Sequence, residues 1–172
     1  MSILKIYTFP NQILKKKAEP VTIFDHDIDE ISKSMLDTMY ISGGIGLAAI
    51  QVGITKRIIV IDLKSGVEDL SEREPHILVN PKIVEKSGAT VSEEGCLSVI
   101  DFRCEIERSQ KITLEYQDIT GKKLKMDAEN MMSICIQHEI DHLNGILFID
   151  HLPYLKQKLV KKRLAKLAKV EK

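Results

Sequence analysis

Between Ile77 and Met126 the chain passes through five β-type segments: ILVNPKIVE, ATVSEEG, FRCEIER, KITLEYQD and KKLKM. The last two are separated by Thr120-Gly121, a turn signal, and the group is expected to form a largely antiparallel meander. Helical patterns flank it on both sides. From Asp25 to Ile41, apolar residues at Ile28, Ile31, Met35, Leu36 and Met39 mark one face of an amphipathic helix. Asp25 or Asp27 can cap its start, and Gly43-Gly44 stop it. Residues 128–143 are helical in pattern and end at Asn144-Gly145. Pro153 then opens a last amphipathic helix, with Leu155, Leu159, Leu167 and Val170 on or near one side. Arg57 to Leu63, RIIVIDL, is a short β-branched run expected to be a buried strand, and KSGVEDLSEREP reads as a loop. Strands grouped in the middle with helices around them predict an α+β fold, in which mainly antiparallel strands surround a central helix.

Length and composition agree with that class. The 172 residues suit a single domain, 1–172, and 44% hydrophobic with 29% charged residues is an ordinary globular balance. No apolar run approaches the roughly 20 residues that cross a bilayer, so no membrane partner is expected. The opening MSILKIYTFPNQILKKK has neither a secretory nor a transit pattern, which makes the cytoplasm the expected location. Three cysteines at irregular spacing form no disulfide framework and suit a reducing compartment. The net charge of zero hides an asymmetry. From Leu152 onward eight basic residues face one acid, Glu171, giving +7, while the first 151 residues hold 17 basic and 24 acidic, giving −7. A basic C-terminal arm, 153–170, on an acidic body suggests a partner of opposite charge.

The most specific chemical signal is QHEIDH, Gln137 to His142, which contains the His-Glu-x-x-His pattern of metal hydrolases. Four residues span about one helical turn, so His138 and His142 can direct nitrogens at one ion, with Glu139 beside the first. A catalytic site of this kind usually has three protein ligands and an open position. A histidine at 148 would complete one known extension, but that residue is Phe148. Beyond His142 the acids are Asp150 and Glu171. Asp150 and His151 would ligate only through a sharp reversal, and a polar cap between two helices is their simpler role. Cys135 lies about 4.5 Å along the axis from His138 and about 10.5 Å from His142, poorly placed to share an ion with both. It is expected to line a pocket beside the site or to pack in the core. Cys104, in FRCEIER, reads as a packed or surface thiol. Cys96, in SEEGCLS, follows Gly95, which permits an unusual backbone or a close approach. Cys96 is therefore the expected third ligand. The glycine-rich GGIGLAAIQVG suggests phosphate binding, but no Gly-Lys-Ser/Thr follows and no dinucleotide-binding strand precedes it.

Taken together, GIGLAAIQ (Gly44 to Gln51), EGCLS (Glu94 to Ser98) and QHEIDH resemble, in order and spacing, the three signature motifs of the peptide deformylases. ILKKKAEPV, RIIVIDL, LVNPKI, DHLNGILFID and the basic C-terminal helix resemble the bacterial form, and the likeness covers nearly the whole chain. The resemblance implies removal of the N-formyl group from the initiator methionine of nascent chains. It implies Cys96, His138 and His142 as ligands of one divalent ion, a water activated by that ion as nucleophile, and Glu139 as general acid/base. Gln51 and the Leu97 backbone N–H are implied oxyanion donors. Gly44, Ile45, Gly46 and Gly95 are implied to line a groove where substrate backbone adds as a strand, with Arg103 helping to bind it. Ile45, Met131, Ile134, Cys135 and His138 would wall the methionine pocket; plain helix packing is the simpler role of Met131 and Ile134. Asp141 reads as a salt bridge or cap, or as support for a ligand. The implied metal is Fe2+, with Zn2+, Ni2+ or Co2+ as alternatives. The basic helix would dock on the ribosome, without sequence-specific nucleic-acid binding. Two departures stand out: Ile100 and Asp101 occupy places where the family usually has proline and often glycine, and Ser92 stands where an apolar residue is common. A different metal peptidase and a ribosome-associated binding module with a structural metal are the competing readings.

Overall fold

The computed structural model describes residues 2–170. Met1 lies outside them, as do Glu171 and Lys172, which the charge count of the tail includes. In chain order the elements are α1 (His26–Ile41), β1 (Gly46–Ala48), β2 (Ile58–Ile61), β3 (His76–Ser87), β4 (Thr90–Cys96), β5 (Val99–Arg108), β6 (Lys111–Gln117), β7 (Lys123–Glu129), α2 (Asn130–Leu143) and α3 (Tyr154–Val170). The strands form a five-stranded sheet in the order β1-β2-β3-β6-β7 and a separate two-stranded sheet, β4-β5. Every pairing within them is antiparallel. The α+β class holds, but the meander does not run unbroken. β3 pairs with β2 and β6, which leaves β4 and β5 to fold back as a hairpin of their own. Alternation within a strand specifies which face is inward, not which neighbour it takes.

Local chemistry accounts for most boundaries. Asp25 caps α1, its carboxylate accepting from Asp27 N at 3.1 Å. Ile28, Met35 and Met39 then form its fully buried stripe. β2 is buried along its whole length because both faces are covered. Ile59 and Ile61 join the core that packs α2, whereas Ile58 and Val60 join the core beneath α1. α2 begins two residues later than its pattern suggests, since Ala128 is still in β7. The switch from strand to helix is made at Asn130, which takes a left-handed φ of 55° that Asn tolerates better than most residues. Asp101 does the same at φ 55°, the place where a glycine would sit without strain.

α3 follows Pro153 and is fastened by Leu164, which is buried, and by Lys161 Nζ to Asp150 Oδ1 at 2.5 Å. Its apolar residues at Leu155, Leu159, Leu167 and Val170 are exposed, 74% for Leu155 and 81% for Val170. The apolar side that the periodicity marks is therefore on the outside. No helix among the described residues is long and apolar enough to cross a membrane.

The end of α2 depends on a close backbone approach. Gly145 has φ 74°, and a Cβ there would strike the Lys15 carbonyl oxygen. The N-terminal segment docks at the same point, with Ala18 N donating to Leu143 O at 2.8 Å. Gly145→Ala should destabilise the protein by about 1–3 kcal/mol, the scale of enforced backbone strain. Urea unfolding measures this, and an unchanged midpoint would mean that the Lys15 segment simply moves aside.

Candidate metal centre

α2 crosses the molecule with its second half buried: His138, Glu139 and His142 are all inside. The two imidazole centroids lie 5.0 Å apart. Cys96 reaches them from the end of β4, where the register slips between Glu94 and Cys96 and the chain turns back at once into β5. Its Sγ is 3.2 Å from His142 Nε2, and ligand atoms of Cys96, His138 and His142 all lie within 4.8 Å of one another. One ion at the usual 2.0–2.3 Å bonding distances can be shared by donors this close. Cys135 is not part of the group; its thiol points to Ile45 O at 3.9 Å, and burial pushes it well above the ordinary thiol range. Asp150 and His151 are also outside it. Asp150 accepts from Leu147 N at 2.8 Å, and His151 meets Asp141 at 2.7 Å, the polar cap expected of them. Cys104 is buried in the core.

The surroundings prepare these side chains to bind a cation. His138 Nδ1 is held by Glu94 Oε1 at 2.8 Å, which aims Nε2 at the other ligands. The ring also stacks on Phe148, with centroids 5.9 Å apart. Burial would lower the pKa of His138, but Cys96 and Glu94 outweigh burial and raise it. Burial, reinforced by the charge of His138, lowers that of His142 and keeps it neutral, as a ligand must be. Around the sulfur, Ser98 N lies at 3.4 Å and Gln51 Nε2 at 3.6 Å. A soft sulfur and two imidazoles are a donor set that fits a transition-metal dication.

Glu139, like His142 at Nδ1, has a buried atom without a partner. Its Oε2 is buried and makes no hydrogen bond, and burial raises its pKa to about 7. Gly46 packs so closely that a Cβ there would lie 2.6 Å from Glu139 Oε1 and 2.9 Å from Cys135 Sγ. The glycine keeps this approach open. A carboxylate titrating near neutrality beside three ligand atoms is suited to moving a proton.

A groove of about 440 Å³ opens onto the centre, and all the residues expected along it are there: Gly44, Ile45, Gly46, Gly95, Arg103, Met131, Ile134 and Cys135. Gln51, Cys96, Leu97, His138 and Glu139 line it as well. Gln51 is fixed by Ala48 N donating to its Oε1 at 2.8 Å, and its Nε2 donates to Ser98 Oγ at 3.1 Å. Arg103 is a loose member, 3.6 Å from Glu93 across the groove wall. Ser92 also lines the groove, its hydroxyl oxygen buried without a partner.

Sequence reasoning missed the support behind the ligands. Arg108 forks onto Glu94 with two 2.9 Å bonds and donates to Asp141 at 2.6 Å. Its side chain is 4% exposed. Burial disfavours the charge of both partners, but Arg108 and His138 outweigh it and keep Glu94 ionised, while Glu94 and Asp141 raise the Arg108 pKa. The chain His151–Asp141–Arg108–Glu94–His138 thus runs from the surface to a ligand. Asp141 is a salt-bridge partner here, one of the roles expected for it. Glu94 stood inside a recognised motif without a stated role, and nothing in FRCEIER distinguishes Arg108 from a surface cation.

Comparison with known proteins agrees with this geometry. The sequence model described as Polypeptide deformylase matches residues 3–158. A peptide deformylase of Rhizobium meliloti is 45% identical over 170 residues, covering 98% of this chain and 96% of the relative. One of Brucella suis is 46% identical over 169 residues, covering 98% and 95%. The crystal structure of a peptide deformylase from Legionella pneumophila superposes with a TM-score of 0.88 at 38% identity, covering 99% of this chain and 98% of that one. With its family model matched, its relatives aligned end to end and its fold shared, the chain belongs to the polypeptide deformylase family of enzymes.

Proposed function

We propose that this protein removes the N-formyl group from the formyl-methionine of nascent polypeptides in the cytoplasm, as one catalytic domain spanning residues 1–172. The observation that carries the reading is the convergence of Cys96, His138 and His142 on one point, with the unpartnered Glu139 carboxylate beside them. These three residues would hold the metal. When bound, a divalent ion supplies Lewis acidity, polarising the formyl oxygen and lowering the pKa of a water toward neutrality. Glu139 takes the proton from the attacking water and returns it to the departing amine nitrogen. Water and the formamide thereby become formate and a free N-terminal amine. The Gln51 amide and the Leu97 backbone N–H donate to the oxygen that turns negative as the carbonyl becomes tetrahedral. Gln51 is suited to this because it is neutral and already fixed by Ala48.

β1 is an edge strand, and the substrate backbone adds along Gly44, Ile45 and Gly46 on one side and Gly95 on the other. Arg103 steadies the peptide further along. Met131, Ile134 and Cys135 receive the methionine side chain, whose flexible thioether suits such a wall. The sulfur and imidazole donors accept Fe2+, Zn2+, Ni2+ or Co2+, and we assign Fe2+ as the cellular ion.

The test is formate release from a formyl-Met peptide by protein loaded anaerobically with iron. Removing the ion with a chelator should abolish release, and re-addition should restore it. Cys96→Ser should bind the metal markedly more weakly, measured by metal content after gel filtration. Absence of formate from the loaded protein, or cleavage of unformylated peptides instead, would overturn the reading.

The exposed lysines of α3 are proposed to dock on the ribosome. Lys158→Glu, Lys162→Glu and Lys166→Glu together should weaken ribosome affinity and flatten its salt dependence. Equal affinity of this variant and the parent in sedimentation would reject the docking role.

A further inference from the structure

A second cavity of about 740 Å³ lies behind α2, away from the groove. Gln137, Ile140, Asp141 and Asn144 of α2 and its cap form one wall, and the irregular middle of β3 forms another. Its volume is in the range of small-ligand sites. Arg108, Asp141 and His151 in its lining support the metal centre from behind, and the other lining residues have no part in the proposed reaction.

The charges that line it are unusual for this protein. Arg57, Lys82 and Lys86 all contribute, and none of them has a carboxylate within ion-pair distance among the described residues. Arg57 is partly buried, and burial lowers its pKa. Its guanidinium is held by Asn144 Oδ1 at 3.0 Å and Leu143 O at 3.3 Å, both through Nη1. Its other donors make no hydrogen bond to the protein. Those donors face solvent, so a guanidinium anchored on one side keeps its other N–H groups open to an anion. Arg108, also in the wall, is fully engaged by Glu94 and Asp141, so it adds no free charge. Of the two carboxylates in the lining, Asp141 is taken up by Arg108 and His151, and Glu107 is exposed.

The basic character extends past the cavity mouth. Lys15, Lys16, Lys17 and Lys56 are exposed, and their segments meet the same place. Ala18 bonds Leu143 O, the Lys15 carbonyl packs on Gly145, and Glu19 bridges Lys56. Outside its C-terminal arm the chain carries a net charge of −7, yet these four lysines, with Arg57, Lys82 and Lys86, make no ion pair among the described residues.

We propose that this cavity binds phosphate oxyanions, with the Arg57 guanidinium as a forked donor and Lys82 and Lys86 as flanking cations. Arginine matches phosphate geometry with two parallel bonds, and lysines add point charges beside it. The cavity is large for one phosphate and fits a ligand that presents two or more, such as a diphosphate or a stretch of phosphodiester backbone.

The experiment uses the full-length, metal-loaded protein. Calorimetric titration with inorganic pyrophosphate, and separately with a short single-stranded RNA, is run on the parent, on Arg57→Gln and on the Lys82→Ala/Lys86→Ala pair. Binding of either probe that falls at least tenfold in both variants, with formate release unchanged, supports the proposal. Pyrophosphate binding then marks a free-phosphate site, and binding of RNA alone marks a backbone site. For RNA, three cations predict a slope of about −2 in log affinity against log salt, falling to about −0.7 in the double lysine variant. No binding of either probe at millimolar concentration would overturn the site. So would RNA binding that survives both variants and is lost only in the α3 charge reversal. The lysine pair is exposed, so if Arg57→Gln fails to fold, the same tenfold fall in the lysine variant alone supports the proposal and unchanged binding there overturns it.

Discussion

Glu139→Gln should lower formate release by roughly 10²–10⁴-fold while leaving fold and metal content intact. The side chains are the same size, so the tight packing against Gly46 and Cys135 is preserved. What changes is proton transfer. The amide cannot accept a proton from water or hand one to the leaving amine, and it sits where a carboxylate with a pKa near 7 stood. Burial is the first cause of that pKa, and the charges of Glu94 and Asp141 add to it. A buried acid whose folded pKa is raised weakens the folded state once the pH passes its unfolded value. In metal-free protein at pH 8 the Gln variant should therefore be at least as stable as its parent. Steady-state kinetics and a urea titration together make the test specific. Retention of most of the activity would remove Glu139 from its assigned role. Loss of activity accompanied by loss of metal would show that it acts on the ligands and not on the proton.

Arg108→Met is the second large effect, and it should appear mainly in stability. Arg108 is buried with Glu94, and Asp141 is only partly accessible. Taking away one member of a buried ionic group leaves its partners charged and unpaired, a loss of about 3–5 kcal/mol. For a chain of this size each kcal/mol moves Tm by roughly 2–4 °C, so a drop on the order of 10 °C is expected. The damage should reach the centre too, because Glu94 fixes His138 and Arg108 fixes Glu94. Metal affinity should fall even in conditions where the variant is fully folded. A double variant, Glu94→Gln with Arg108→Met, removes one stranded charge and should lose less than the sum of the single changes. Strict additivity would mean that the two residues do not act as a unit.

These two residues differ in how they can be found. Glu139 was visible in one dimension, since a helix repeats every 3.6 residues and places His138 and His142 on one face with the glutamate between them. Cys96 was reachable by eliminating Phe148, the downstream acids and Cys135, helped by the glycine before it. Arg108 offered no such signal. Its carboxylate partners, Glu94 and Asp141, lie 14 residues before it and 33 after it, and each might equally have faced solvent.

The strands show the same division. Local pattern told where β2 to β7 would lie, and the unbroken β-branched run at Arg57 to Leu63 told that β2 would be buried, because side-chain direction is a local property. It did not tell that β3 bonds β6 across the β4–β5 hairpin, because pairing is chosen among surfaces far apart in the chain. α3 is the sharpest case. Its leucines repeat as an inward stripe would, yet Leu155 and Leu159 are exposed and Leu164 is the anchor. Periodicity defines the faces of a helix, and only the surface it meets decides which one is covered. The sequence by itself determined the candidate ligand set, most element types and the family resemblance, all carried by short-range spacing. The tertiary structure alone decided the Arg108 support, the exposed face of α3 and the cationic cavity behind α2, since each depends on which distant residues the fold brings together.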